Sequence, residues 1–235
     1  MIGAIIGDIV GSRHEFNNYK AKDFKLLTPK CYFTDDTVMT IAVATAIRIA
    51  DGKLENLTSE LICDTLQFIG RHYPNCGYGA KFIHWMFSED PQPYNSFGNG
   101  SAMRVSSVAW AANSLEECLE MARRVTVVSH DHPEGIKGAE ATAAAIYLAR
   151  FEKDKQRIKQ YIEDHYYKLD FTIDGIRDTY IHNETCQDSV PQALEAFLES
   201  ESYEDCLRIA VSLGGDSDTI AAIAGSVAEA YYGIP

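Results

Sequence analysis

Apolar residues recur along this chain at the three- and four-residue spacing of amphipathic helices. The segment 57–69 shows this spacing clearly, and it returns at 115–122, where Ser114 stands in the N-cap position. The segment 38–49 is apolar on most faces, with small alanines and threonines between its larger residues, which is typical of a helix packed on several sides. Further helices are predicted over 138–151, 190–198, 203–211 and 219–232.

The same pattern contains no alternation of apolar and polar residues between hairpin-forming dipeptides, so the sequence predicts an all-α fold. The alanine-rich helices carry few charges, which indicates close helix crossings in a compact multi-helix bundle rather than a long coiled coil. Loops concentrate at 17–33, 73–80, 88–100 and 171–188, and none has the composition of a linker between domains. We therefore expect a single domain over residues 1–235.

Charge narrows the classes of ligand that this chain is expected to bind. The sequence has 21 Lys and Arg against 34 Asp and Glu, a formal net charge of −13, whereas nucleic acids and anionic membranes need clustered basic residues.

The six cysteines form no C-x-x-C pair, which favours reduced thiols. The apolar start at 1–7 lacks a basic region and is interrupted by Asp8, and no apolar run approaches the ~20 residues of a membrane span. We expect a soluble, cytoplasmic protein.

Two acidic runs stand at the start of apolar helices: TDDT at 34–37 and GGDSDT at 214–219. Each run alone is also explained as an N-cap, because Thr and Asp accept hydrogen bonds from free backbone N–H groups. Two such sets are better explained by convergence on divalent cations, because buried unpaired carboxylates are costly. The oxygen donors select Mg²⁺ or Mn²⁺ over zinc, and four carboxylates would balance two cations. The candidate ligands are Thr34, Asp35, Asp36, Asp216, Asp218 and Thr219.

A glycine-flanked loop, FGNGSAMR at 97–104, is a third candidate site. Gly98 and Gly100 flank Asn99, and a helix is expected to start near Ser101. Backbone N–H groups at such a junction can bind a phosphate, although a plain turn capped by Asn99 or Ser101 explains the same residues. Phe97 could stack on a flat ring, but a lone aromatic residue beside a loop is more often part of the packing.

Two further segments place polar residues beside helices. In SHDHPEG at 129–135, two histidines lie one residue apart without a third N or S ligand, which favours a hydrogen-bonding or structural role over metal binding. Asp8 lies in an apolar helix and needs partners, and Glu15 follows seven residues later on the same face. Glu15 is equally well explained as a solvated surface residue.

Together these segments resemble the ADP-ribosylglycohydrolase family over nearly the whole chain. The runs at 34–37 and 215–219 are similar to the family's two metal motifs, and 97–104 is similar to its ligand loop. The resemblance implies an orthogonal all-α bundle with two divalent cations, Mg²⁺ or Mn²⁺, held in a cleft by the six candidate ligands. It implies Asp36 and Glu15 as candidates for proton transfer, with Glu15 on a mobile flap. It also implies ligand contacts from Phe97, Gly98, Asn99, Gly100, Ser101, Met103 and His130.

The implied function is hydrolysis of an ADP-ribose adduct at C1″ of the ribose, where oxocarbenium character develops. The leading hypothesis is removal of ADP-ribose from a modified protein side chain such as arginine. The alternatives are hydrolysis of a small adduct such as O-acetyl-ADP-ribose, and a non-catalytic ADP-ribose-binding or structural protein. Retention of all the candidate metal ligands argues against the non-catalytic alternative. The brief loops 17–33 and 88–94 leave the preference for a leaving group open.

Overall fold

The computed structural model describes residues 1–235 and is helical throughout. Strand-like pairing is limited to one antiparallel bridge between Gly98 and Thr185, so the predicted all-α fold is confirmed. Short 3₁₀-helices lie at Ser12–His14, Leu54–Asn56 and Cys186–Asp188. The α-helices are α1 (Ile2–Gly11), α2 (Asp35–Ile49), α3 (Ser59–His72), α4 (Ala80–Phe87), α5 (Gly100–Met103), α6 (Ser106–Ala111), α7 (Leu115–Val127), α8 (Pro133–Phe151), α9 (Lys155–His165), α10 (Ile173–Ile176), α11 (Val190–Glu199), α12 (Tyr203–Ser212) and α13 (Ser217–Tyr232).

Each helix predicted from the apolar spacing is present, and the differences lie at the helix ends. Helix α2 begins at Asp35 because Thr34 caps it, accepting a hydrogen bond from the backbone N–H of Asp36. Helix α8 begins at Pro133, because the His132 side chain caps the helix and proline is favourable in its first turn. The apolar spacing does not predict α4, and the loop expected at 171–188 contains the short helix α10.

Helix α13 forms the centre of the bundle. Helices α1, α8, α11 and α12 pack around it, and residues 217–228 of α13 are all buried. One cluster of buried apolar side chains extends from Val10 to Ala230. We therefore propose that the chain folds as one domain.

Small residues allow α1 and α13 to approach closely. A Cβ atom on Gly7 would lie 2.1 Å from the carbonyl oxygen of Ala221, and one on Gly11 would lie 2.4 Å from that of Ser217. Only glycine, which has no Cβ, fits at these distances. The crossing brings the C-terminal end of α1 to the start of α13, so that residues following α1 lie beside the GGDSDT run.

None of the helices is both long enough and apolar enough to cross a lipid bilayer. All six cysteines are free, as the sequence predicts. The cytoplasmic location stays a prediction.

Candidate active site

A cavity of about 720 Å³ opens beside the first turns of α2 and α13 and the loop that leads into α5. Glu15 and the six candidate metal ligands all line this cavity. The structure therefore brings together two acidic runs that are separated by about 180 residues in the sequence. Of the predicted ligand contacts, the cavity is also lined by Gly98, Asn99, Gly100, Met103 and His130.

We call the oxygen-rich side of the cavity the acidic wall. Glu15, Asp216 and Asp218 each place a carboxylate oxygen within 4.8 Å of the other two. The hydroxyl of Thr219 donates to Oδ2 of Asp36 at 3.1 Å, which links the start of α13 directly to the start of α2. The members of the acidic wall are Glu15, Thr34, Asp35, Asp36, Asp216, Asp218 and Thr219.

Asp8 supports the acidic wall from behind. Its carboxylate is fully buried and accepts hydrogen bonds from the backbone N–H groups of Thr34 and Thr37, at 2.9 and 3.1 Å. It also accepts from both threonine hydroxyls, with 2.8 Å to Thr34 Oγ1. Asp8 therefore fixes the first turn of α2. An acid inside an apolar helix is the sequence signal for this residue, but the signal does not reveal its partners.

Two oxygens of the acidic wall are buried and have no hydrogen-bond partner: Oδ1 of Asp36 and Oδ1 of Asp218. Such an oxygen is costly unless a donor or a cation satisfies it. The surrounding donors are carboxylates and hydroxyls, which suit a hard divalent cation such as Mg²⁺ or Mn²⁺. The residues present therefore fit the cation site that the sequence predicts, while the number and identity of the cations stay predictions.

The crowding of carboxylates changes how they titrate. Burial, followed by the negative charge of Asp218, raises the pKa of Asp35 and of Asp36 well above their ordinary range. Burial raises the pKa of Asp216 to about 6, and burial together with the charge of Asp218 raises the pKa of Glu15 to about 8. A bound cation would lower all these pKa values by favouring the ionised carboxylates.

Asn18 ties the segment that carries Glu15 to the turn before α13. Its Nδ2 donates to the carbonyl oxygens of Glu15 at 2.8 Å and of Gly215 at 3.2 Å, and its Oδ1 accepts from Gly215 N at 2.8 Å. Nearby, the Lys20 ammonium donates to the carbonyl oxygen of Leu213 at 2.8 Å. In this structure the segment is anchored, and the mobility that the family resemblance implies stays a prediction.

Another side of the same cavity, the donor wall, consists of Gly98, Gly100, Arg104 and His130. Arg104 is 1% exposed and has no carboxylate partner, and its Nη2 donates to Val125 O at 3.0 Å. Burial, and then the charge of Arg104, holds the pKa of His130 well below its usual value, so its imidazole is neutral. Sequence reasoning missed Arg104, whose only signal is a charged residue at the end of an otherwise uncharged loop motif.

The sequence profile of the ADP-ribosylglycohydrolase family matches residues 1–235. The chain belongs to this family. Human ADP-ribosylhydrolase ARH3 is 24% identical, over an alignment that covers 100% of this chain and 84% of ARH3. ADP-ribosylarginine hydrolase Tri1 of Pseudomonas putida (strain GB-1) is 26% identical, with 100% and 70% covered. ADP-ribosyl-[dinitrogen reductase] glycohydrolase of Rhodospirillum rubrum is 26% identical, with 86% and 69% covered.

A solved structure described as an ADP-ribosylglycohydrolase-related protein complex shares the fold. It superimposes with a TM-score of 0.74 and 20% sequence identity, covering 100% of this chain and 87% of that chain. The alignment with ARH3 runs over 313 positions, against 235 residues here, so ARH3 carries insertions relative to this chain. This member of the family is therefore shorter than ARH3 within the aligned region.

Asn99 joins the two walls of the cavity. Its Nδ2 donates to Asp216 Oδ2 at 2.6 Å and to Ser189 Oγ at 3.0 Å. Asn99 is 6% exposed, and this side chain fixes the orientation of a predicted metal ligand. A direct contact between Asn99 and the ligand stays a prediction.

Two residues that are predicted to contact the ligand have side chains outside the lining of the cavity. Phe97 does not line the cavity; it is 42% exposed and packs against the His132 ring, with 5.1 Å between ring centroids. Ser101 also lies outside the lining, and its hydroxyl donates to the carbonyl oxygen of Gly135 at 2.8 Å. Any role of these residues in binding stays a prediction.

The cavity also has an aromatic lining that the motifs do not reveal. Phe16 directly precedes the loop predicted over 17–33, Tyr32 and Phe33 end it, and all three line the cavity. Phe16 is 83% exposed, so its ring stands at the mouth of the cavity. Other lining residues outside the predicted set include Tyr78, Phe82, Tyr94 and Glu184.

Proposed function

We propose that this protein is a metal-dependent hydrolase that cleaves the glycosidic bond at C1″ of ADP-ribose adducts. The observation that carries this proposal is one cavity bounded by two walls of opposite chemistry. The acidic wall has buried oxygens without partners, at Asp36 and Asp218, and the donor wall has a buried guanidinium without a carboxylate, at Arg104. Family membership supports the class of reaction.

We propose that the adduct is a modified protein side chain, with arginine as the leading candidate. The Tri1 relative is named for ADP-ribosylarginine, and the R. rubrum relative is named for a modified protein. At the cavity mouth, Glu15 lies with the exposed rings of Phe16 and Tyr32. A guanidinium leaving group would find both a carboxylate and aromatic faces there.

In this proposal the substrate ribose lies against the acidic wall and the diphosphate lies against the donor wall. Backbone groups of Gly98, Asn99, Gly100 and Ser101 would contact the diphosphate or the distal ribose. Phe97 and Met103 would lie toward the adenosine half, and His130 would lie where that half joins the diphosphate. The helix that follows this loop, α5, has only one turn, so the loop itself and its neighbours must supply the donors.

Two divalent cations, Mg²⁺ or Mn²⁺, would be held by Thr34, Asp35, Asp36, Asp216, Asp218 and Thr219, and would supply Lewis-acid chemistry that orients the ribose hydroxyls and activates water. The chain's own contribution is to hold these ligands in place before substrate arrives. Asp8 fixes the first turn of α2, and Asn99 orients Asp216. Supporting contacts of this kind tune metal sites strongly.

Proton transfer to the leaving group is assigned to Glu15 or Asp36. Oδ2 of Asp36 already accepts from the hydroxyl of Thr219, and its other oxygen is one of the two without a partner. This environment suits an ionised carboxylate that binds a cation. Glu15 is half-buried and lies on the side of the cavity mouth, so we favour it as the proton donor.

A panel of ADP-ribosyl adducts, assayed with Mg²⁺, with Mn²⁺ and with excess chelator, tests the proposal. We expect release of ADP-ribose from ADP-ribosylarginine in the presence of metal, and loss of this activity in chelator and in Asp35→Ala and Asp218→Ala variants that remain helical. Activity that persists in either variant or in chelator would contradict the metal site. Turnover of O-acetyl-ADP-ribose alone would favour the small-adduct alternative, and binding without turnover would favour a non-catalytic protein.

A further inference from the structure

A chain of buried polar contacts runs from Arg104 to the cavity, outside the residues that bind metal in our proposal. Nη2 of Arg104 donates to the hydroxyl oxygen of Ser129 at 2.8 Å, and Ser129 Oγ lies 2.8 Å from Nδ1 of His130. Ser129 is fully buried, and His130 is 5% exposed. We call these three residues the Arg–Ser–His relay.

The order of donors in the relay follows from the chemistry of its members. An arginine side chain only donates hydrogen bonds, so it occupies a lone pair of Ser129 Oγ. The hydroxyl hydrogen of Ser129 then needs an acceptor, because a buried donor without one is destabilising. His130 Nδ1 is the acceptor within reach, and it can accept only when it carries no hydrogen. The proton of the neutral imidazole therefore resides on Nε2.

The Nε2 atom of His130 lies beside the glycine loop. A Cβ atom on Gly100 would lie 3.4 Å from this nitrogen, and one on Gly98 would lie 3.7 Å from it. Because neither residue has a Cβ, both leave the Nε2–H group uncovered. His130, Gly98 and Gly100 all line the cavity, so this donor is directed toward the space where a ligand would lie.

The surroundings of the relay call for an anionic partner. Arg104 is 1% exposed, none of the ion pairs of the structure includes it, and its Nε has no hydrogen-bond partner. The hydrogen bonds it makes all leave from Nη2 toward neutral oxygens. A positive charge that is buried without a counter-charge favours a negative group placed in the adjoining cavity.

We propose that Arg104 and Ser129 are positioning residues that fix His130 as the Nε2–H tautomer, so that it donates a hydrogen bond to an oxyanion of the ligand beside Gly98 and Gly100. The identification of that oxyanion as the diphosphate of ADP-ribose rests on the proposed function. The tautomer of His130 does not rest on it.

Long-range ¹H–¹⁵N NMR spectra of protein labelled at histidine read the tautomer directly, and a His130→Gln variant identifies the His130 signals among those of the seven histidines. We expect a protonated Nε2 and an unprotonated Nδ1 in the wild-type protein. In Ser129→Ala we expect the two tautomers to mix. The matched control is Ser107→Ala, which removes a buried hydroxyl that has no hydrogen-bond partner and should leave the His130 signals unchanged.

Calorimetric titration of ADP-ribose in the presence of Mg²⁺ provides the second readout. We expect Ser129→Ala to raise the Kd about tenfold, as for one poorly oriented hydrogen bond to a charged group, and Ser107→Ala to change it less than about twofold. A wild-type His130 protonated at Nδ1 would overturn the proposal, and so would equal Kd values in the two variants. If wild-type protein did not bind ADP-ribose, the proposed function would fail, and the NMR result alone would decide the relay.

Discussion

The acidic wall and the donor wall of the cavity both contain buried atoms without hydrogen-bond partners, but these atoms are acceptors on one wall and a donor on the other. On the acidic wall, Oδ1 of Asp36 and Oδ1 of Asp218 are acceptors that lack a donor or cation. On the donor wall, Nε of Arg104 is a donor that lacks an acceptor. We therefore expect each wall to bind a group of opposite charge, a cation on the acidic wall and an anion on the donor wall. A chain with a net charge of −13 can therefore bind an anionic diphosphate, provided that cations cover its carboxylates.

The two walls also differ in how the chain builds them. The acidic wall combines the end of α1, the start of α2 and the start of α13, which the close crossing at Gly7 and Gly11 holds together. The donor wall uses two segments, 98–104 and 129–130. The acidic wall therefore depends more than the donor wall on packing between residues that are far apart in the sequence.

The largest effect is expected from removing an acidic-wall ligand. Asp218→Ala should lower kcat/KM for an ADP-ribosyl adduct by about a thousandfold, because cation binding supplies several kcal/mol of stabilisation to the transition state. The exposed Asp64→Ala variant is the control for losing one negative charge. Steady-state kinetics at saturating Mn²⁺ measures both, and comparable rates in the two variants would rule out a metal site on this wall.

Glu15→Gln separates proton transfer from binding. We expect kcat to fall by about a hundredfold or more, since a positioned acid contributes on this scale. The Kd for ADP-ribose should change little, because the donor wall and the six proposed cation ligands are intact. A variant that turns over at the wild-type rate would exclude Glu15 as the proton donor and leave Asp36.

Asp8→Asn tests the support behind the acidic wall. Asparagine keeps one acceptor oxygen but places an NH2 group where the second carboxylate oxygen accepts, so the first turn of α2 loses part of its anchor and the negative charge behind it. We expect Mn²⁺ affinity to fall by about 10- to 100-fold, as for other supporting contacts of metal sites. Calorimetry with Mn²⁺ measures this fall, with the exposed Asp51→Asn variant as the control. Unchanged affinity would show that Asp8 only stabilises the fold.

The smallest effect concerns pH and stability. The pKa of Glu15 is raised from 4.5 to about 8 and that of Asp216 from 3.8 to about 6, so the folded state holds these protons more tightly than the unfolded chain. Their contribution to stability is complete below pH 4 and is lost as the pH rises toward 8. Mn²⁺ relieves the repulsion between the ionised carboxylates. It should therefore raise the Tm by roughly 2–4 °C at pH 8 and by less at pH 5, as measured by calorimetric scans. An equal shift at both pH values would contradict this.

Local patterns in the sequence predict the helices and the two acidic runs, because both are set by residues close together in the sequence. The spacing of apolar residues identifies α2 and α13, and the acidic runs at their starts are visible without any tertiary contact. The apolar spacing begins only at residue 138, whereas α8 begins at Pro133, because the His132 side chain caps the helix ahead of its apolar residues.

Local sequence patterns do not predict which groups a buried polar side chain will contact. Asp8 meets α2 only because glycines allow α1 to cross close to α13. Arg104 and Ser129 are 25 residues apart, and their contact requires the packing of the segment after α5 against the end of α7. Phe97 has an aromatic ring that could stack on a ligand, yet it packs on His132 outside the cavity.

Binding of free ADP-ribose with and without metal tests the central claim most directly. Isothermal titration calorimetry of the wild-type protein in Mn²⁺ and in excess chelator compares the cavity with and without cations bound to the carboxylates of the acidic wall. We predict measurable binding in Mn²⁺ and a Kd raised by at least about a hundredfold in chelator, because uncovered carboxylates repel the diphosphate. Equal affinity under the two conditions would contradict the claim that cations on the acidic wall complete the site.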